Sequence, residues 1–313
     1  MCRIEKITFL ILSLFTGFLT NAQQEASFSL YMFNHQLINP AYVGATTLTQ
    51  FTAETRNQWE GIPGAPESHA FSVSHLIKNK NFGLGVSGIS DNIGPTERNN
   101  MAIDLAYHLR LNEAGLKLGI GLKLSSRSLN FNNSILTPIS ANDPSLMVNY
   151  TNEFSPNLGF GFYLQNKSFY FGGSIPYFFE DEDLYLNRNT YFIGGALISL
   201  NSSLQLKPSM LFHKMKSQPW VYDTSILLSI RNSFWLGPQY RATVENILPN
   251  QNSAGFFGAI AGLNLSKSTS IAYAYQGRIG NRNFGITNTS HEILLRIQLR
   301  KKEIGFLRSP RLF

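Results

Sequence analysis

Residues Gly115 to Ser126 read GLKLGIGLKLSS. Leu116, Leu118, Ile120, Leu122 and Leu124 occupy one parity, while Lys117, Gly119, Gly121, Lys123 and Ser125 occupy the other. A period of two held over about ten residues is a β-strand with one apolar face and one wet face. A helix would scatter both sets around its circumference. Lysines and glycines on the polar face suit a wall between hydrocarbon and water, which takes roughly 9 to 11 residues per strand to cross.

The same alternation recurs along the chain. Ile103, Leu105, Tyr107 and Leu109 interleave with Ala102, Asp104, Ala106, His108 and Arg110, and Ile293, Leu295, Ile297 and Leu299 interleave with Glu292, Arg296, Gln298 and Arg300. Asp104, His108, Arg110, Glu292 and Arg296 therefore face a watery lumen, because a Lys or Arg at mid-depth on the lipid side would cost about 2 to 4 kcal/mol. Extending the reading gives about fourteen strands, at 48–58, 68–77, 82–90, 101–110, 115–126, 157–165, 168–178, 190–200, 203–214, 221–231, 233–242, 254–264, 268–277 and 290–300. An even number is what a closed bacterial barrel requires.

The connections sort by length. KNKN, LNEA and other tight polar turns alternate with WEGIPGAPE, DNIGPTERNN, the stretch 127–156, EDEDLYLNRN, KSQPW, VENILPNQNS and RIGNRNFGITNT. Short turns on the periplasmic side and long loops outside are the asymmetry of outer-membrane barrels. A soluble β-sandwich shares the period of two but has no reason to sort its loops. Aromatic residues gather near strand ends, at Phe169-Tyr170, Tyr177-Phe178-Phe179, Tyr191-Phe192, Trp220, Tyr222, Phe234-Trp235 and Phe256-Phe257. Those positions fit interfacial girdles.

Composition agrees. Charged residues make up 14% of the chain and aromatics 13%, the former well below the roughly 25% of soluble domains. Arg3 and Lys6 precede an apolar run from Ile7 to Leu19 and the small-residue end Thr20-Asn21-Ala22, an order that reads as an export signal cleaved after Ala22. Cys2, the single cysteine, would leave with it, so the exported chain has no disulfide and no thiolate ligand. The net charge of +7 falls to +6 without Arg3, Lys6 and Glu5. The remaining basic residues are scattered, which is not the clustered patch of a nucleic-acid site.

The expected architecture is all-β: a single transmembrane antiparallel up-and-down β-barrel of about 14 strands over 48–300, preceded by a signal peptide at 1–22. Residues 23–47 form an N-terminal segment packed in or under the lumen, and 301–313 form a basic periplasmic tail. Asn39-Pro40 and Gly44 break the segment into turns, so its apolar and aromatic residues must pack against something.

Enzyme chemistry finds little support. Ser68-His69, Ser74-His75 and Ser290-His291 are neighbours in strands, so each pair points to opposite faces and no nucleophile meets its base. His108 and His291 are read as polar lumen residues. Gly83-Leu84-Gly85-Val86-Ser87-Gly88 fits the dinucleotide-loop pattern, but it lies within a strand that no helix follows. Its glycines instead let the wall bend or let the N-terminal segment approach. The acidic run Glu180 to Asp183 lacks the spaced ligands and turn glycine of a calcium loop and reads as a solvated loop tip. No cofactor or metal is expected.

Tyr31-Met32-Phe33-Asn34, Leu37-Ile38-Asn39-Pro40-Ala41-Tyr42 and Gly44, followed by Arg56, Gln58-Trp59, Gly61 and Gly64-Ala65-Pro66, resemble the opening of the PorP/SprF family of type IX secretion outer-membrane proteins of Bacteroidota. The resemblance continues through Phe82-Gly83-Leu84-Gly85, Asp91, Gly94 and Ser290-His291-Glu292-Ile293, and covers nearly the whole exported chain in order. At Thr287 to Ser290 the chain departs from the family's pattern, which has a glycine before Ser-His-Glu. The resemblance implies a role in secretion or gliding rather than a reaction. Its partners would be secreted proteins or adhesins bearing type IX C-terminal signal domains, periplasmic type IX machinery or peptidoglycan-associated proteins, and outer-membrane lipid, with no nucleic acid. It singles out Asn34, Asn39, Pro40, Ala41, Gly44, Arg56, Trp59, Gly64, Pro66, His291 and Glu292 as structural or partner-contact candidates. Two other readings of the same barrel are a fatty-acid-transporter-like or porin-like channel and a membrane lipase.

Overall fold

Antiparallel ladders run without interruption of order from the first strand to the last. The computed structural model describes residues 26–77, 81–113, 115–132, 153–181, 187–216, 218–244, 255–278 and 289–299. The expected export signal at 1–22, most of the stretch 127–156, the stretches 245–254 and 279–288 and the expected tail at 301–313 lie outside the described residues.

The strands are β1 (Thr49–Gln58), β2 (Glu67–Leu76), β3 (Phe82–Ile93), β4 (Thr96–Arg110), β5 (Lys117–Phe131), β6 (Glu153–Gln165), β7 (Phe169–Ile175), β8 (Asn189–Ala196), β9 (Ile198–Ser199), β10 (Leu204–Met215), β11 (Val221–Ile230), β12 (Phe234–Thr243), β13 (Phe256–Asn264), β14 (Thr269–Arg278) and β15 (Thr289–Leu299). Strand β9 continues β8 past Leu197 in one register against β10, so the wall is fourteen strands. Every strand pairs with its neighbours in sequence, and β1 pairs with β15 from Thr49↔Leu299 to Gln58↔Ser290, which closes the barrel. Closure removes the unpaired edge that a membrane would not tolerate.

Polarity is inverted relative to a soluble protein. On β5, Ile120 is 54% exposed on the outside while Lys123 is 1% exposed on the inside. Hydrocarbon is the solvent for the first and the lumen for the second. The outward parity of β3 and β4, with Leu84, Val86, Ile103, Leu105 and Tyr107, forms part of a continuous apolar belt. Among the described residues no helix is long and apolar enough to cross a membrane; the strands do so.

Two expectations need correction. DNIGPTERNN is not a long loop, because β3 and β4 pair through Ile93↔Thr96 and only Gly94-Pro95 joins them. Strands β5 and β6 likewise extend into 127–156, with Leu129 paired to Glu153. Polar strand ends beyond the hydrocarbon lose the apolar signature but keep the ladder, since backbone pairing does not depend on side-chain polarity. The aromatic pairs are not all girdle. Phe169, Phe192 and Phe234 are exposed outside, whereas Tyr170, Tyr191 and Trp235 point inward against the N-terminal segment. Adjacent residues of a strand face opposite sides, so each pair serves both surfaces.

Candidate functional site

The lumen is filled by residues 26–47. They form three short 3-10 turns at Tyr31–Phe33, His35–Leu37 and Pro40–Tyr42. The segment starts beside Ile89, Asp91 and Arg98 near the long-loop end, where Ala26 lies. It finishes where Ala45 O accepts from Gln165 Nε2 (2.8 Å), at the short-turn end of β6. The chain thus runs down the barrel axis before turning into β1.

Several candidate residues act together here. Asn39 caps the third turn, with Oδ1 accepting from Ala41 N at 3.0 Å, and its Nδ2 donates to Phe162 O of β6 at 2.9 Å. Pro40 follows at the first helical position, where its missing N–H costs nothing. Ala41 is fully buried against the lumen face of β5, so close that a Cβ on Gly121 would sit 2.2 Å from Ala41 N. Gly44 has φ +74° and donates its N–H to Ser74 Oγ at 2.9 Å. Asn34 Oδ1 accepts from Ser72 Oγ at 2.7 Å. Gly83, in the glycine-rich stretch of β3, lies under Val43 O, where a Cβ would stand 2.0 Å away. The approach of the N-terminal segment accounts for that glycine.

Charges bind the segment to the wall. Glu292 accepts from Ser29 N at 2.8 and 2.6 Å and from Leu30 N at 3.1 Å, and Arg56 Nε lies 3.3 Å from its Oε1. Lys123 Nζ meets Asp104 Oδ1 at 2.8 Å, and Gln36 Nε2 donates to the other carboxylate oxygen at 3.0 Å. Arg241 pairs with Asp223 at 2.5 Å and donates to Ser27 O (3.2 Å) and Phe28 O (3.3 Å). Asp223 and Arg241 were invisible to motif reading, as was the partnership of Lys123 with Asp104; their lumen parity was the only available signal. A second, apolar cluster joins Leu30 to Leu227, Trp235, Ile260, Ala272, Ala274 and Leu294. The lumen is therefore a packed core, half salt-bridged and half greasy.

The other candidates lie at the long-loop rim. Trp59 (φ 53°) donates its N–H to Thr289 O at 2.9 Å, Gly64 has φ +73° and accepts from Gly94 N at 2.9 Å, and Pro66 O accepts from Gln58 N at 3.0 Å. These bonds tie the loop to its neighbours, while Ile62 N donating to Trp59 O and Ala65 N to Ile62 O, each at 3.1 Å, fold Trp59 to Pro66 into successive turns. His291 does not face the lumen. It points outward, with Nδ1 2.6 Å from Tyr273 Oη and Nε2 3.4 Å from Glu60. Glu292 beside it takes the inward face, so alternation forces His291 out. Elsewhere on the long-loop rim, Glu180 pairs with Lys216 at 2.6 Å, and that hydrogen bond holds its carboxyl below the usual range. No cluster of three metal-ligating side chains occurs among the described residues.

A closed barrel with an apolar belt outside and a charged interior is an outer-membrane β-barrel protein. Residues 20–297 match the family described as type IX secretion system membrane protein PorP/SprF, and the chain belongs to that family. Among solved structures it is similar to the toluene transporter TbuX of Ralstonia pickettii, at 10% identity over 88% of this chain and 95% of that one, with a TM-score of 0.50. It is also similar to the toluene transporter TodX of P. putida (10% identity, 85% and 92% covered, TM-score 0.44) and to Omp33 of Acinetobacter baumannii (7% identity, 81% and 99% covered, TM-score 0.42). At such identities the likeness shows the fold alone. No curated protein matches the chain.

Proposed function

We propose that this barrel serves the type IX system by holding secreted proteins at the cell surface through their C-terminal signal domains. Membership of the family over residues 20–297 carries the reading. The filled lumen supports it, because a channel for free diffusion needs water-filled space where Asn39, Ala41 and Gln36 are packed against the wall. Binding then falls to the surface loops, and the turn-ordered Trp59 to Pro66 is the described loop best suited to it. The candidate Ser-His neighbours point to opposite faces, with Ser68, Ser74 and Ser290 buried inside, which supports a binding role rather than a hydrolytic one.

The test is a deletion strain complemented with the wild-type chain or with a photocrosslinking residue at the exposed Pro63. Surface retention of proteins with C-terminal signal domains is expected to fall on deletion, and the probe at Pro63 is expected to capture them. Unchanged retention together with lost uptake of small apolar solutes would favour the transporter reading instead.

A further inference from the structure

We infer that the short-turn mouth of the lumen is a receptor site for an acidic segment of a periplasmic protein, seating one apolar or aromatic side chain beside a carboxylate that pairs with Lys207. A cavity of about 200 Å³ opens there, walled by Phe33, Tyr163, Tyr170 and Leu227. That volume is below the roughly 300 to 1,000 Å³ of pockets that enclose a drug-sized ligand, and it suits one buried anchor of the kind that dominates protein interfaces.

Charge selects the occupant. Among the described residues, Lys167 on the turn tip and Lys207 on the wall line the cavity, and no acidic residue does. Lys207 points inward and half-buried, its Nζ 6.0 Å from the Trp235 ring centroid, and among the described residues no carboxylate lies within ion-pairing distance of it. A cation–π contact alone supplies about 0.5 to 2 kcal/mol, so a carboxylate from a partner would add a charge-assisted hydrogen bond that no described residue provides.

The wall is also built differently at this point. The β8–β10 ladder keeps its register from Ser209↔Gly195 to Leu206↔Ile198, yet the two pairs between drop out, at Pro208 with Ala196 and Lys207 with Leu197. Proline offers no N–H to the ladder. All four residues of that gap line the cavity, so the opening and Lys207 coincide.

The inference rests on the outer-membrane reading and on short turns being periplasmic, but not on cargo capture at the surface. The test places p-benzoylphenylalanine at Ser168, on the cavity lip, in the full-length barrel in its native host, and maps the adduct by mass spectrometry. The expected adduct is a periplasmic protein crosslinked within a stretch containing Asp or Glu. Lys207→Glu should lower the yield by about tenfold and Lys207→Arg should preserve it, while reversing the mapped carboxylate to Lys should restore it to Lys207→Glu. Lys207→Gln gives the same reading if Lys207→Glu fails the heat-modifiability check for a folded barrel. No protein adduct, adducts with lipid only, or a yield indifferent to the charge at 207 would overturn the site. Cargo retention is read separately at the surface, so the two proposals can fail independently.

Discussion

Glu292, three residues into the last strand, grips the backbone N–H of Ser29 with both carboxylate oxygens across 263 residues of chain. The same carboxylate meets Arg56 on the first strand. One side chain therefore ties the barrel's closing seam to the segment that fills it.

Glu292→Gln should loosen that tie. Breaking a buried pair by removing one charge typically costs about 3 to 5 kcal/mol, since the partner is left uncompensated. The expected outcome is a lower urea midpoint in detergent and higher single-channel conductance in planar bilayers. Conductance equal to wild type would show that the segment is held elsewhere.

Gly121→Val should expel the third turn while sparing the wall. Even the first added carbon would fall 2.2 Å from Ala41 N, whereas a Cβ on Gly194 meets nothing closer than 3.7 Å. Gly194→Ala is thus the matched control. Protease cleavage within residues 26–47 should rise for the first and stay unchanged for the second, with both barrels still heat-modifiable.

Asn39→Asp is the sharper test of the cap. Aspartate is normally as good an N-cap as asparagine, and loss of a cap costs about 0.5 to 2 kcal/mol. Here the amide also donates to the carbonyls of Phe162 and Gly173, and a carboxylate would turn an acceptor toward them. Asn39→Asp should therefore destabilise more than Asn39→Ala, measured by urea unfolding. The opposite order would remove the role assigned to the Nδ2 donor.

Lys123 and Asp104 should be strongly coupled. Each single truncation leaves a buried charge unpaired at about 3 to 5 kcal/mol, while the double variant Asp104→Asn with Lys123→Met removes both charges together. The cycle should show the double variant less damaged than the sum of the singles. Additive losses would mean that the pair is solvated in the lumen.

Ala26→Cys should react with a membrane-impermeant maleimide on intact cells, and Thr47→Cys only after the outer membrane is permeabilised. Ala26 lies at the long-loop mouth and Thr47 is exposed beside the start of β1. Cys2, the one natural cysteine, falls in the expected export signal and should not interfere. Reversed labelling would invert the orientation assigned here.

Alternation in GLKLGIGLKLSS, repeated some fourteen times, determined the barrel by itself, because a wall between two solvents writes its faces into every second residue. Turn breakers at Asn39-Pro40 and Gly44 also marked the N-terminal segment as something other than strand. His291 faces outward despite its polarity, because Glu292 beside it in the strand takes the lumen side. What only the tertiary structure decided is which lumen groups meet. Asp104 finds Lys123 on the next strand and Gln36 on the central segment, Arg241 finds Asp223 and the carbonyls of Ser27 and Phe28, and Lys207 finds no carboxylate among the described residues. Parity says that a side chain points inward but not at what depth or opposite which partner, and those depend on the stagger of fourteen strands and on the path of the chain they enclose.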